Sequence, residues 1–145
     1  MKKLLLLFLF PCLFSIGCCS VSESKKNLAF RPKVSLTTTQ EVYNLSNGEI
    51  TYTIKNNTDE SVFYGAPVLL EVSEGEAWQL LSANTAWTLQ LMTILPGETV
   101  EKSFDLRYWA NNFAPGTYRI VEEILKEAED GSYVGENYTV TFSLK

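Results

Sequence analysis

The chain has 145 residues, with 12 Lys and Arg against 17 Asp and Glu, no histidine and three cysteines. Without histidine there is no Ser-His-Asp or Cys-His nucleophile and no histidine-based zinc site. The acidic balance speaks against nucleic acid and against charge-driven adhesion to anionic lipid.

In chain order, Lys2 and Lys3 precede an apolar run from Leu4 to Ile16, and Gly17 stands directly before Cys18. That is the layout of a secretory signal peptide. The run is too short to span a bilayer, which takes about 20 apolar residues. A cysteine right after a small residue resembles the lipobox of bacterial lipoproteins, in which the cysteine is lipidated and becomes the new N-terminus. Ile16 and Gly17 fit that pattern, whereas Ser15 stands where leucine is usual. Cys19 is a second candidate, and an unlipidated secreted chain is the simpler alternative. All three cysteines (Cys12, Cys18 and Cys19) lie in this segment, so the rest of the chain can form no disulfide. A cysteine kept only at the cleavage site is better explained by lipid than by redox chemistry. The expectation is therefore a signal peptide over 1–17 and lipidation at Cys18. Removing residues 1–17 takes away two lysines and no acid, leaving 10 basic and 17 acidic side chains, net −7.

Residues 18–33 are polar and without periodicity, and they read as a flexible tether. Residues 34–145 then make one ordinary domain. Val34 and Leu36 open a series with period two. Ile50, Tyr52 and Ile54 alternate with Glu49, Thr51, Thr53 and Lys55. Val68, Leu70 and Val72 follow, and Trp78 and Leu80 are expected in the core. Val100, Phe104 and Leu106 alternate with Glu101, Ser103 and Asp105, and Tyr138, Val140, Phe142 and Leu144 close the series. Such alternation marks half-buried antiparallel strands. Asn47-Gly48, Asn56-Asn57-Thr58-Asp59, Gly75, Pro96-Gly97, Pro115-Gly116 and Asp130-Gly131 supply the turns between them. Residues 121–129 carry helical spacing as well. The strand pattern of Tyr118 and Ile120 runs into them and a hairpin signal follows, so they read as a long strand paired with the last one. About seven to nine strands at this spacing suggest an all-β, antiparallel β-sandwich.

Pro115-Gly116-Thr117-Tyr118-Arg119-Ile120 resembles a segment of a bacterial immunoglobulin-like domain family found in small exported or lipid-anchored proteins. Tyr43, Ile54-Lys55-Asn56-Asn57-Thr58 (like the family's strand ending in asparagine), Tyr64-Gly65, Trp78 and Leu95-Pro96-Gly97-Glu98 line up with further landmarks of that family, over roughly residues 34–143. The resemblance implies an immunoglobulin-like sandwich, with Tyr118 in the tyrosine-corner role, its hydroxyl bonded to upstream backbone. It implies a fold and not an activity.

Only carboxylate chemistry is left to test. Glu122 and Glu123 are adjacent and point to opposite faces of a strand. Glu122 is in phase with Tyr118, Ile120 and Ile124, so it is either a carboxylate at the end of the core, displaced by a bulge, or a functional group. Glu127, Glu129 and Asp130 form an acidic tip without the ligand spacing of a calcium loop. No metal or cofactor is expected, and no enzyme. Trp87, Trp109 and Phe113 are the candidate partner-binding residues, with packing at the end of the sandwich as the alternative for Trp109 and Phe113.

The expectation as a whole is a monomeric, non-catalytic binding or structural module, lipid-anchored to the bacterial cell envelope. It would contact an envelope protein or a protease through edge strands and end loops. The alternative is a proteinase inhibitor on the same fold, probing with loops 84–87 and 110–115.

Overall fold

In the strand Glu49–Asn56 the even-numbered side chains Ile50, Tyr52, Ile54 and Asn56 are buried, while Glu49 and Lys55 face water. The same two-residue period recurs through the computed structural model, which describes residues 33–46, 48–81, 90–109 and 112–145. Among these residues the strands are β1 (Val34–Thr38), β2 (Val42–Tyr43), β3 (Glu49–Asn56), β4 (Val62–Gly65), β5 (Leu69–Glu74), β6 (Ala77–Leu81), β7 (Leu91–Ile94), β8 (Thr99–Asp105), β9 (Gly116–Glu127) and β10 (Tyr133–Leu144). One 3₁₀ turn, Leu106–Tyr108, follows β8.

A three-stranded sheet runs β1-β3-β8, and the opposing sheet runs β2-β10-β9-β4-β7, with β5 paired to β9 and β6 to β5. The first strand region is divided between the two sheets. β1 pairs antiparallel with β3, and two-residue β2 crosses over to pair in parallel with the end of β10. The Tyr43 hydroxyl fixes that crossover: it donates to the Thr51 carbonyl at 2.7 Å and accepts the Gln40 N–H at 3.2 Å.

The ten strand segments exceed the expected seven to nine because one ribbon is broken. Phe63 and Tyr64 face Leu125 and Ile124, whereas Leu69 and Leu70 face Val121 and Ile120. Four residues, 65–68, therefore stand opposite two, Glu122 and Glu123. Such a bulge leaves backbone groups unpaired and bends the strand, and Pro67 within it has no N–H to give to a ladder. β6 and β7 then flank the two halves of the broken ribbon separately. The dual-signal segment after Tyr118 is strand throughout, with β9 and β10 pairing one-to-one over 12 residues each.

The core lies between the sheets. Val34, Ile50, Ile54 and Phe104 from one meet Val62, Leu70, Ile94, Ile120, Ile124 and Phe142 from the other, and each is at most 6% exposed. Burying one such side chain stabilises by about 1.5–3 kcal/mol.

Candidate functional site

Two charged side chains stand in the inward phase of their strands. On β8, Lys102 lies between Val100 and Phe104, and on β9, Glu122 lies between Ile120 and Ile124. They meet across the core, with Lys102 Nζ 2.6 Å from Glu122 Oε1. The Tyr52 hydroxyl of β3 donates to the same oxygen. Lys102 Nζ also donates to the Gly65 carbonyl at 3.1 Å, at the end of β4 where the bulge begins. The ammonium lies 5.2 Å and 5.8 Å from the ring centroids of Tyr64 and Tyr52, within cation–π range.

Burial raises the Glu122 carboxyl above its ordinary range, against the opposing pull of the Lys102 charge and the hydrogen bonds from Lys102 and Tyr52. Burial, with Glu122 beside it, also raises the Tyr52 hydroxyl and, less strongly, that of Tyr64. Tyr52 therefore stays a proton-bearing donor. A general acid or base must come within about 3 Å of a substrate atom. Here Glu122 is 1% and Lys102 11% exposed, and the cluster joins β3, β8, β9 and the bulge. Glu122 thus sits within the core and not at its end, and the bulge is on the strand facing it.

A cavity of about 350 Å³ opens beside the bulge, lined by Gly65, Pro67, Leu69, Leu91, Glu122 and Glu123 among others, so it borders the buried carboxylate. A larger basin of about 570 Å³ lies at the end of β8, around Asp105, Arg107 and Tyr108.

The aromatic candidates separate. Trp109 is buried at 6% exposure with its ring edge-on to Phe104, and its N–H closes the 3₁₀ turn onto the Leu106 carbonyl at 3.1 Å. Phe113 is half-buried against the Tyr118 ring, 5.7 Å between centroids. Both are committed to packing, and the exposed aromatic of this end is Tyr108. Trp87 and Cys18 lie outside the described residues, as do 84–87 and 110–111 of the two loops considered for inhibition. The Tyr118 hydroxyl donates to the Ala114 carbonyl at 2.9 Å and accepts the Ala114 N–H at 3.3 Å.

Trp78 and Leu80 are not core residues. The β5–β6 register sets them opposite Ser73 and Glu71, on the outer face. There the Arg119 guanidinium lies 4.3 Å above the Trp78 ring and pairs with Glu71, and Leu80 is 57% exposed. Among the described residues no group of three or more Cys, Asp or Glu could hold a metal ion. At the acidic tip, Asp130 accepts from the Ser132 N–H and hydroxyl at 3.0 Å and 2.6 Å, forming a self-contained turn.

Among the described residues one sheet edge is unpaired over most of its length. β2 covers only Ser143 and Leu144 of β10. From Tyr133 to Phe142, β10 has β9 on one side and, among the described residues, no strand on the other.

An early strand shared between two sheets, a parallel pairing with the last strand and a tyrosine hydroxyl bonded to upstream backbone define an immunoglobulin-type sandwich. The chain belongs to the bacterial Ig-like domain family, whose model matches residues 31–143. No curated protein matches the chain.

Among solved structures the chain is similar to the Salmonella enterica SafA pilin in complex with the SafB chaperone: 9% identity, TM-score 0.47, covering 77% of this chain and 52% of that one. It is similar to the Pseudomonas fluorescens alkylpurine DNA glycosylase AlkC at 13% identity and TM-score 0.38, covering 80% and 31%. It is also similar to the PapD-like domain 7 of human CEP192 at 16% identity and TM-score 0.33, covering 86% and 92%. The chain thus spans about half of the pilin structure's chain and a third of the glycosylase's.

Proposed function

We propose that this protein is a lipid-anchored, non-catalytic interaction module of the bacterial cell envelope. Cleavage before Cys18 removes residues 1–17, acylation of Cys18 anchors the chain, and residues 18–33 hold the sandwich of 34–145 away from the membrane. The contacts are made by sheet edges and end loops.

The observation that carries this reading is the placement of a bacterial Ig-like domain, matched over 31–143, behind a basic, apolar leader whose cysteines are absent from the domain itself. The non-catalytic part draws support from Glu122, which is 1% exposed and whose Oε1 is already engaged by Lys102 and Tyr52.

The test is intact mass spectrometry of the membrane fraction from cells expressing the full chain, beside a Cys18→Ala control. A species beginning at residue 18 with added acyl mass, absent from the control, is expected. An unmodified mature chain in the medium would overturn the anchor.

A further inference from the structure

Natural edge strands are blunted by lysine, proline, bulges, brevity or an inward-pointing charge, and between Tyr133 and Phe142 β10 has only the last, at Glu136. The stretch has one charge, Glu136, and its register with β9 is unbroken. Its hydrogen-bonding direction is fixed by its covered end, where Ser143 N–H donates to Glu41 O at 2.8 Å and Lys145 N–H to Tyr43 O at 3.1 Å. In an unbulged antiparallel ladder alternate residues turn both backbone groups the same way. Tyr133, Gly135, Asn137, Thr139 and Thr141 therefore direct N–H and C=O off the free edge.

The sequence of this edge is complementary to itself. An antiparallel copy related by a two-fold axis at Asn137 uses residues 133–141, which is the whole free edge up to where β2 begins. In that register Val134 faces Val140 and Glu136 faces Tyr138 on the inner side, while Tyr133 faces Thr141 and Gly135 faces Thr139 on the outer side. Within one chain the Tyr138 hydroxyl already donates to Glu136 Oε2 at 3.0 Å, and burial, then Glu136 beside it, pushes the hydroxyl up to about 12. The same donor and acceptor can exchange across the axis, which places the acid directly opposite a tyrosine and only diagonal to its own copy. Directly opposed apolar and polar pairs of this kind stabilise a sheet, whereas opposed like charges destabilise it.

We propose that two copies pair through β10 about Asn137, joining their larger sheets into one continuous sheet in an isologous dimer. The inference takes up the sheet-edge contact of the proposed function but needs neither the lipid nor a second kind of protein. Its failure would leave the acylation test untouched.

The test is sedimentation equilibrium of the full chain in detergent over a wide concentration range. Wild type is expected to show a reversible monomer–dimer equilibrium. Val134→Lys, at a position 62% exposed in the single chain, should weaken it at least about tenfold by burying a charge against Val140 of the other copy. Two double variants at the same exposed sites test the register. Tyr133→Glu with Thr141→Glu should abolish pairing, and Tyr133→Lys with Thr141→Glu should retain it, with thermal midpoints confirming that both fold. A wild-type chain that stays monomeric, including one whose edge is taken by its own N-terminal segment or by another protein, would overturn the proposal. So would a dimer indifferent to Val134→Lys or to the sign of residue 133.

Discussion

Lys102 of β8 and Glu122 of β9 meet at 2.6 Å in the middle of the sandwich and tie the two sheets together through side chains. Removing one partner of a buried pair strands the other, at a cost of about 3–5 kcal/mol. Glu122→Leu should lose that much in urea unfolding. Replacing the whole cluster is different. Lys102→Met with Glu122→Leu leaves the Tyr52 hydroxyl as an orphan donor, so Tyr52→Phe must accompany them. The triple variant still orphans the Gly65 carbonyl, so it should lose about 1–3 kcal/mol, less than the single variant. A triple variant as unstable as the single one would show that the ion pair itself, and not merely its completeness, holds the sheets.

The raised Glu122 carboxyl makes stability depend on pH with a definite sign. Burial holds its proton in the folded state at pH values where the unfolded chain, near an ordinary 4.5, has released it. The contribution is complete below about pH 4.5 and is lost as pH rises through the folded value. Asp105 and Asp130 are lowered by hydrogen bonds from Arg107 and Ser132, so they act below an ordinary 3.8, outside this window. Urea midpoints between pH 4.5 and 7.5 should fall more steeply for wild type than for Glu122→Gln. Parallel curves would mean that Lys102 keeps the carboxylate ionised throughout.

Asn56 is the second buried polar residue of the core. Its Nδ2 donates to the carbonyls of Glu60, Ile94 and Leu95 at 2.7–3.2 Å, and its Oδ1 accepts the Thr58 N–H and hydroxyl. Asn56→Ala should cost about 2–4 kcal/mol, because it leaves backbone acceptors buried without donors. Asn56→Asp keeps the shape but aims a carboxylate at those carbonyls. It should be worse than alanine at pH 7 and recover on acidification. An aspartate variant as stable as wild type at neutral pH would refute the donor role.

These buried polar residues were legible to different degrees. Glu122 announced itself by standing in phase with Tyr118, Ile120 and Ile124. Lys102 carried the same signal, in phase between Val100 and Phe104, and two opposite charges in the apolar phase of two strands imply that they meet. The alternation of Val100, Phe104 and Leu106 has its gap at 102, and only the strand pairing shows that Lys102 fills it facing Glu122. Asn56 likewise continues the inward series Ile50, Tyr52, Ile54, but its bonds depend on loops that the alternation does not place. Strand order, the break at Gly65–Val68 and the outward turn of Trp78 and Leu80 depend on which strand lies opposite which. Period two gives the alternation of a strand but not which of its faces is inside.

Tyr118 separates the ring from the hydroxyl in one residue. Its ring stacks on Phe142 at 5.8 Å between centroids and touches Phe113, while its hydroxyl holds the Ala114 carbonyl at 2.9 Å. Tyr118→Phe keeps the packing and gives up both bonds to the Ala114 backbone, and should lower stability by about 1–2 kcal/mol. Tyr118→Ala also removes a buried ring between two aromatic neighbours and should cost about 3–5 kcal/mol. The turn at Ala114–Gly116 is held only by the hydroxyl in this contact, so amide hydrogen exchange at Ala114 should quicken in both variants. If Tyr118→Phe left exchange and unfolding unchanged, the bond would be geometry without energy, and the corner would owe its stability to ring packing alone.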